Sequence, residues 1–405
     1  MSTTYIKSRI YYRVILWILL IVSIFVLVRL SPNLFKPEFL PSDDFFHFWG
    51  GGNQNIQGKN PFDPEKIALL KLEEGSISSL TNPTSVMLNP PWAITFLMPF
   101  GLISYRISRL IWLIFSSVLL LTSSLILWRI YSGNPKLRWL AIITVFIFAP
   151  TISVLEKGQL TPLVLMGITG FLYFSIYQRN DWLAGILLSI ASIKPQLALI
   201  FWIALLFWVI KDRRWVIIIS LLITILSTTL VAMIFNPHII QQYIEMLQIY
   251  PVAGWASPTI GAYLRLFWLG TDKFWLQFLP SLFAGLWFIY YWYKQHETWN
   301  WVDQLPVLLL VSQLTSPYSW TYDLVVLIPA LIPAAFWIIA DWKNWSTILL
   351  VVFYLAINVL DLILHMRLSE FWFIWMAPAL FIWFLVARWR FQQLQVKRGL
   401  TVSGT

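Results

Sequence analysis

The chain has 405 residues, of which 59% are hydrophobic and only 11% are charged, and its formal net charge is +10. Soluble domains carry about 25% charged residues, so the composition excludes a soluble globular protein and predicts a polytopic membrane protein. Basic loops on the cytoplasmic side account for the positive charge, so no nucleic-acid partner is expected. Because the chain has no cysteine, disulfides and cysteine-based metal sites are excluded as well.

The first apolar segment runs from Ile10 to Leu30 and is predicted to span the membrane. It is longer than the core of a signal peptide, and no small-x-small cleavage site follows it, so we expect it to be retained. Lys7, Arg9 and Arg13 precede this segment, which predicts a cytoplasmic N-terminus.

A long, mainly polar segment at about 31–106 follows and is predicted to be an outer loop that carries the candidate site. Near its start, the stretch from Ser42 to Gly52 contains two carboxylates, a histidine and three consecutive glycines among aromatic residues. The glycines predict either a flexible turn or a place where a ligand approaches the backbone. Residues 65–74 predict a short amphipathic helix. The run at 90–103 is too short to span the membrane and predicts a helix at the outer face.

Eleven further apolar segments give twelve predicted spans in all and place the C-terminus in the cytoplasm. They are 106–127, 140–155, 161–177, 183–193, 196–210, 216–235, 274–293, 305–314, 324–340, 348–362 and 371–387. The fifth and sixth spans break at Lys194-Pro195, because proline disfavours helix in the residue before it. A second outer loop is predicted at about 236–272. Basic residues concentrate in the loops that this topology places inside.

The sequence therefore predicts an all-α polytopic membrane protein of the cell membrane, with about twelve transmembrane helices and additional juxtamembrane helices on the outer face. We expect one integral membrane domain over residues 1–405, because no hydrophilic run is long enough for a separate globular domain.

Asp43 and Asp44 are the strongest candidates for chemistry. A carboxylate beside a low-dielectric boundary loses solvation, and the resulting rise in pKa suits a general base near neutral pH. A solvated loop carboxylate or a helix N-cap would explain the same pair without a function. The sequence does not decide which of the two is the base. His47 is expected to form hydrogen bonds, since no second histidine nearby completes a metal site, and no metal is predicted.

Lys194 is the second candidate, because an ionisable group between two apolar helices is costly and marks function by default. Its ammonium suits a phosphate ligand, although snorkelling to the membrane interface would also explain it. Further outer cations that could bind a headgroup or a phosphate are Arg106, Arg109 and Arg265.

Other outer residues could bind a sugar by hydrogen bonds or could belong to the interfacial aromatic belt. They are His47, Trp49, Glu156, Gln159, Tyr318, Tyr322 and Asp323. By contrast, His365, Arg367 and Glu370 are interpreted as parts of an ordinary outer loop.

An ordered set of motifs in the first half of the chain resembles the family-87 membrane glycosyltransferases. The motifs are Asp44-Phe45-x-x-Phe48-Trp49-x-Gly51, Gly58-x-Asn60-Pro61-Phe62-Asp63, Asn89-Pro90-Pro91 before an apolar run ending Pro99-x-Gly101, Gly158-Gln159, and Ile193-Lys194-Pro195. Two weaker echoes follow in the second half, Ser257-Pro258-Thr259-Ile260-Gly261-x-x-x-Arg265 and Ser316-Pro317-Tyr318-Ser319-Trp320.

The resemblance implies a GT-C fold and a polyprenyl-phosphate sugar as the donor. Asp44 would then deprotonate an acceptor hydroxyl, which attacks the anomeric carbon with inversion while polyprenyl phosphate leaves. Lys194 and an outer arginine, such as Arg265, would stabilise the phosphate without a metal or another cofactor. The expected product is a glycolipid or glycan that has received a hexose, with mannose as the expected sugar, outside the cytoplasm.

Two alternatives remain open at this stage. One is a polytopic transporter or lipid flippase, which would carry functional ions near the midplane of repeated helices. The other is a GT-C enzyme that uses a different lipid-linked sugar. The clustering of polar residues on one face favours an enzyme over a transporter.

Overall fold

The computed structural model describes residues 44–74, 87–249, 255–270, 273–340 and 344–397. The predicted first span at 10–30 and the candidate base Asp43 lie outside these ranges. The described residues are mainly helical and contain no strand, which confirms the all-α class.

Seven helical segments are long and apolar enough to cross a membrane, which confirms a membrane-embedded protein. They are Tyr105–Ile130, Pro195–Asp212, Trp215–Phe235, Phe274–Thr298, Thr321–Ile339, Trp345–Leu364 and Glu370–Val396. Most of them expose large aliphatic side chains, as a lipid-facing surface requires. The segment Thr321–Ile339 differs, because 72% of its apolar window is buried inside the protein. It is therefore the most buried of the seven segments.

The predicted third span is a bent pair, Pro135–Phe146 and Ala149–Lys157, with an angle of 64° between its halves. Pro150 explains the break, because its ring would clash with the carbonyl of Phe146 four residues earlier and it has no N–H to donate. The backbone N–H of Ala149 instead donates to Asn358 Oδ1 at 2.6 Å.

Three predicted spans are apolar helices shorter than a full crossing, Thr161–Tyr177, Asp181–Ala191 and Trp301–Leu314. The described part of the chain thus has seven full-length candidates, or eight if the bent pair is one span. Helices occur where the sequence predicted the second to twelfth spans, while the count of twelve and the GT-C fold stay predictions.

The α-helices are numbered in chain order among the described residues. They are α1 (Phe45–Ile56), α2 (Pro64–Glu73), α3 (Pro91–Gly101), α4 (Tyr105–Ile130), α5 (Trp139–Phe146), α6 (Ala149–Lys157), α7 (Thr161–Leu172), α8 (Asp181–Ala191), α9 (Leu199–Asp212), α10 (Trp215–Phe235), α11 (Ile239–Ile249), α12 (Ile260–Leu264), α13 (Leu279–Gln295), α14 (Trp301–Leu314), α15 (Ile328–Ala340), α16 (Trp345–Leu364) and α17 (Met376–Lys397). Short 3₁₀ or π segments lie at Pro135–Leu137, Tyr173–Tyr177, Pro195–Ala198, Arg265–Leu269, Phe274–Phe278, His296–Thr298, Thr321–Leu327 and Glu370–Trp375.

The three consecutive glycines of the candidate stretch lie inside α1, so the prediction of a flexible turn there is wrong. They allow α1 to pack tightly against its neighbours. A Cβ atom on Gly52 would come within 2.7 Å of the Leu97 carbonyl oxygen on α3, and one on Gly101 within 2.4 Å of the Asn53 nitrogen on α1. These glycines therefore permit the close packing of α1 against α3.

Two hydrophobic cores meet at the candidate site. The smaller core joins α1, α3 and the start of α4, and it extends to Leu160 and Ile193. The larger core contains most of the remaining helices and includes Tyr322 and Leu324. Gln159, Lys194 and Asp323 are each next in sequence to one of these core residues, which places them at the boundary between the cores.

Candidate active site

Four polar side chains form one continuous hydrogen-bonded chain at this boundary. Gln159 Nε2 donates to Asp44 Oδ2 at 2.6 Å. Lys194 Nζ donates to Gln159 Oε1 at 2.8 Å and to Asp323 Oδ1 at 2.9 Å. The fold thus connects four residues that the sequence predicted separately and that lie in four distant segments. We call this set the transfer chain.

Asp44 is held at the start of α1 by its backbone rather than by its carboxylate. Its N–H donates to the Lys157 carbonyl oxygen at 2.9 Å. Asp44 occupies the N-cap position of α1, but its side chain makes no capping bond to the first turn, so helix capping does not explain the carboxylate. The carboxylate is directed to Gln159 instead.

The turn at Gly158 positions Gln159. Gly158 ends α6 with a left-handed backbone, φ 66°, which disfavours any residue with a Cβ atom. A Cβ at this place would also lie 2.6 Å from Phe45 Cβ. Trp112 Nε1 donates to the Gly158 carbonyl oxygen at 2.9 Å and fixes the turn from α4.

Lys194 is buried among protein groups, with 9% of its surface exposed, so snorkelling to an interface does not describe it. It precedes the 3₁₀ turn Pro195–Ala198, and the proline breaks the apolar run as predicted. Besides its two hydrogen bonds, its ammonium lies 5.2 Å from the centre of the Tyr322 ring. A buried ammonium with an ion-pair partner and hydrogen bonds meets the requirement that desolvated charges be compensated.

Asp323 is the most deeply buried carboxylate of the transfer chain and has several donors. Its Oδ1 accepts from Thr161 Oγ1 at 2.6 Å as well as from Lys194. Its Oδ2 accepts from the backbone N–H of Trp320 at 3.1 Å. With Asp44 and Asp323 both ionised, the one ammonium of Lys194 leaves a net charge of −1 on the transfer chain.

Aromatic side chains connect Arg265 to this region. Arg265 is buried and donates from Nη2 to the Trp255 carbonyl oxygen at 3.1 Å. The Trp255 ring lies 6.1 Å from that of Tyr318 and 6.2 Å from that of Trp320. Because the N–H of Trp320 binds Asp323, the aromatic wall of Trp255, Tyr318 and Trp320 adjoins the transfer chain, and Arg265 contacts this wall at the Trp255 carbonyl oxygen.

The remaining arginines differ in their surroundings. Arg109 is buried in α4 and donates from Nη2 to the carbonyl oxygens of Leu155 and Glu156, at 2.8 and 2.7 Å. It therefore stabilises the C-terminal end of α6, where partial negative charge accumulates. Arg106, one turn earlier on α4, is exposed.

Other predicted substrate-binding residues are engaged within the protein. Trp49 is buried, and its Nε1 donates to the Ile103 carbonyl oxygen at 2.9 Å. His47 is buried beside α2, with Nε2 3.5 Å from Lys71 Nζ. Burial and the charge of Lys71 lower the pKa of His47 to about 3, so its imidazole is neutral. Glu156 is half-buried, and its carbonyl oxygen binds Arg109.

A second polar cluster lies where the sequence indicated an ordinary loop. Thr321 Oγ1 donates to Glu370 Oε2 at 2.5 Å. His365 lies between two carboxylates, with Nε2 3.2 Å from Glu370 Oε1 and Nδ1 3.2 Å from Asp361 Oδ1. We call Asp361, His365, Glu370 and Thr321 the histidine cluster.

The histidine cluster could have been found from one signal. Asp361 is an acidic residue at the end of an apolar span, four residues before His365, and such a pair shares one helix face. Burial by itself lowers the pKa of His365, but the Asp361 and Glu370 carboxylates outweigh that effect and raise it to about 10. Thr161 was also missed, since a lone threonine before an apolar run carries no distinctive pattern.

Comparison with family models matches this chain to glycosyltransferase family 87. The model of glycosyltransferase family 87 covers residues 88–317, which is more than half of the chain. That range contains Gln159, Lys194 and Arg265, while Asp44 precedes it and Asp323 follows it. Comparisons with curated proteins and with solved structures give no match.

Proposed function

This chain belongs to glycosyltransferase family 87, and we propose that it moves a hexose, with mannose as the expected sugar, from a polyprenyl-phosphate carrier to a glycolipid or glycan acceptor. A glycosyltransferase in a membrane has a sugar donor, an acceptor and lipids as partners. The observation that carries the proposal is the transfer chain, which joins a carboxylate and an ammonium through a single amide.

Asp44 is the proposed general base. Its Oδ2 accepts the N–H of Gln159, so we assign proton transfer to Oδ1. The acceptor hydroxyl gives its proton to this oxygen while its own oxygen attacks the anomeric carbon. The bond between that carbon and the phosphate oxygen breaks, the electron pair leaves with polyprenyl phosphate, and the anomeric centre inverts. A positioned general base of this kind contributes about 10²–10⁴-fold to a rate.

Lys194 is the first cation proposed to meet the phosphate. The leaving phosphate gains negative charge as the glycosidic bond breaks, and a cation already in place stabilises that charge. Asp323 offsets the charge of Lys194 in the structure, so the donor phosphate has to share this ammonium. A second cation is therefore needed, and Arg265, on the wall formed with Trp255, is the best placed.

The same wall supplies the proposed contacts to the sugar. Tyr318 is partly exposed, and Tyr322 lies against Lys194. When the donor binds, Gln159 and Asp323 would exchange hydrogen bonds to neighbouring protein groups for hydrogen bonds to sugar hydroxyls. Arg106 and Arg109 stay secondary candidates for the phosphate, because the first is exposed and the second binds the end of α6. With cations in these places we expect no metal or other cofactor.

The proposed site faces the extracytoplasmic side of the cell membrane, with both termini in the cytoplasm. The distribution of basic residues in the sequence supports this orientation. A reporter fused after Lys36 and another fused after Arg213 should therefore report opposite sides.

The donor assay tests the function. Purified protein in lipid is incubated with polyprenyl-phosphomannose and a membrane lipid extract, and the donor is followed by mass spectrometry. We expect wild type to consume the donor and Asp44→Asn to lose about 10²–10⁴-fold in turnover. Asp63→Asn is the matched control, because Asp63 caps α2 through Glu65 N–H and Lys66 N–H and asparagine caps equally well.

The outcomes distinguish the parts of the proposal. Loss of turnover in Asp43→Asn with activity retained in Asp44→Asn would reassign the base to Asp43. Consumption of another polyprenyl-linked hexose, but not of the mannose donor, would correct only the sugar. If no polyprenyl-phosphate sugar is consumed with any acceptor extract, the proposed donor class is wrong.

A further inference from the structure

Thr321 belongs to the histidine cluster and is followed directly by Tyr322 and Asp323 of the transfer site. We propose that the histidine cluster is a positioning device for that site, in which His365 fixes Glu370, Glu370 fixes Thr321, and Thr321 sets the place of Tyr322 and Asp323. The effect on turnover rests on the proposed transferase function, whereas the effect on the turn at Thr321 does not.

The contact between Glu370 and Thr321 restrains the backbone as well as the side chain. Glu370 Oε2 accepts from the Thr321 hydroxyl at 2.5 Å and from the Thr321 backbone N–H at 3.3 Å. Thr321 is buried, so loss of the carboxylate would leave two desolvated donors without that acceptor. Such a loss is costly in a low-dielectric environment.

The 3₁₀ turn Thr321–Leu327 is thus held at two neighbouring points. At its first residue, Glu370 binds Thr321. Two residues later, Lys194 and Thr161 bind Asp323. Because a 3₁₀ turn has poorer internal hydrogen bonds than an α-helix, its position depends strongly on such outside contacts.

His365 can hold Glu370 in place because other contacts fix the orientation of the His365 ring. Nε2 lies 3.2 Å from Glu370 Oε1 and 3.2 Å from Thr321 Oγ1. Nδ1 lies 3.2 Å from the Asp361 backbone carbonyl oxygen, with which it forms a hydrogen bond, and 3.2 Å from Asp361 Oδ1, with which it forms an ion pair. Only the imidazolium can donate from both nitrogens at once. The ring also lies against Phe373, with 4.0 Å between ring centres. His365 is therefore fixed in orientation by two charges and by one aromatic face.

The two polar clusters act electrostatically on the same hydroxyl. Asp44, Asp323 and Glu370 all lie near enough to Tyr322 to interact with its side chain. Lys157, whose carbonyl oxygen binds the Asp44 N–H, lies near enough to Glu370 to interact with its charge. A displacement of Glu370 would therefore change the field in the transfer site even before the turn moved.

The test compares His365→Gln with a matched control. His238→Gln makes the same change at an exposed histidine just before α11. Hydrogen–deuterium exchange is measured on the peptide that contains Thr321–Leu327, and donor turnover is measured on the same samples. We expect His365→Gln to raise exchange in this peptide and to lower kcat/KM by about 10²-fold, the scale of a misplacement near the reacting groups. His238→Gln should change neither quantity.

A conservative variant separates positioning from general damage. His365→Lys restores a cation between the two carboxylates, so it should recover part of the protection and part of the turnover. Glu370→Gln should weaken the turn in the same way. The effects of Glu370→Gln and His365→Gln should not add, because both residues contact Thr321 as members of one hydrogen-bonded network.

Each result decides the proposal. Unchanged exchange at Thr321–Leu327 in His365→Gln would overturn it, whatever happens to turnover. Equal loosening of all helices in His365→Gln would show a structural role only and would also overturn it. If wild type transfers no sugar, the exchange measurement still decides whether the histidine cluster positions the turn, and the failure belongs to the proposed function.

Discussion

An ion pair lies at each end of α8, and the two pairs are built differently. In the first turn of α8, Asp181 accepts from two nitrogens of Arg214 in a bidentate pair, and the Arg214 guanidinium also donates to the Ser175 carbonyl oxygen. Beyond its last turn, Lys194 makes a single contact to Asp323 and shares its ammonium with Gln159. The exposed side-chain fractions are 27% and 17% for the first pair but 11% and 3% for the second.

The comparison teaches which buried charge is available for chemistry. The Arg214 pair is closed, since each partner satisfies the other and the guanidinium also lies over Trp208. The Lys194 pair is open, because it continues through Gln159 to Asp44. The closed pair joins the starts of α8 and α10, whereas an open pair can exchange a partner for a ligand.

The largest effect is expected from breaking the open pair. Lys194→Gln leaves Asp323 without its counter-ion in a buried place and should lower the free energy of unfolding by about 3–5 kcal/mol. Thermal unfolding in lipid or detergent measures this. The double variant Lys194→Gln with Asp323→Asn should regain much of the stability but not the turnover. A stability close to wild type in Lys194→Gln alone would contradict the account.

The hydrogen-bonded link from Asp44 through Gln159 to Lys194 can be disturbed without changing a charged residue. Gly158→Ala forces a Cβ into a left-handed backbone and against Phe45, so it should cost about 1–3 kcal/mol of stability and displace Gln159. Turnover should fall in parallel. Gly285→Ala is the control, because a Cβ there would meet only Ile203 Cδ1 at 3.9 Å, and alanine in a helix is better by about 1 kcal/mol. If Gly158→Ala and Gly285→Ala changed stability and turnover to the same extent, the turn at Gly158 would not be what positions Gln159.

Folding should shift the pKa values of the two histidines near the candidate site in opposite directions. Nitrogen-15 spectra of the four labelled histidines should show His365 charged up to about pH 10 and His47 neutral down to about pH 3. The pKa of His365 is raised on folding, so its contribution to stability is complete below about pH 6.5 and is lost as the pH rises towards 10. The pKa of His47 is lowered, so that residue costs stability as the pH falls from about 6.5 towards 3.

The corresponding unfolding curves supply the control for that titration. His365→Gln should flatten the alkaline side of the stability profile, while His238→Gln should leave it unchanged. A His365 signal that titrates near pH 6.5 would mean that the two carboxylates do not hold a cation.

The smallest effect is expected at the closed pair. Asp181→Asn removes the charge but keeps an acceptor for Arg214, and partly exposed ion pairs contribute about 1 kcal/mol or less. Stability should change by no more than that, and donor turnover should stay at the wild-type level. A loss of turnover comparable to that of Lys194→Gln would remove the distinction between the two ends of α8.

Much of the transfer chain could be predicted from the sequence, because each member lies in a short, recognisable setting. Asp44 follows the first apolar segment, Lys194 interrupts two apolar runs, and Gln159 follows the glycine that ends α6. Their connection could not be predicted, since it depends on two hydrogen bonds of one amide across segments that are far apart in the chain. Asp323 was named only as one polar residue among several, and its ion pair with Lys194 was not foreseen.

The errors and gaps in the fold prediction have equally local causes. The triple glycine is helical because α3 packs against it, and a sequence window does not include that partner. The histidine cluster was read as a loop because its residues come from a helix end and from the following turn, which only the tertiary fold brings to Thr321. The third span was predicted as one segment at 140–155, whereas Pro150 divides it into two helices at an angle of 64°.

The central claim is that Asp44 and Lys194 act as one unit through Gln159, and a double-mutant cycle on donor turnover tests it most directly. Turnover is measured for wild type, Asp44→Asn, Lys194→Gln and the double variant under the same lipid and donor conditions. The account predicts that each single variant loses about 10²-fold or more and that the double variant is little slower than the worse single one. Losses that multiply in the double variant, or wild-type turnover in Lys194→Gln, would contradict it.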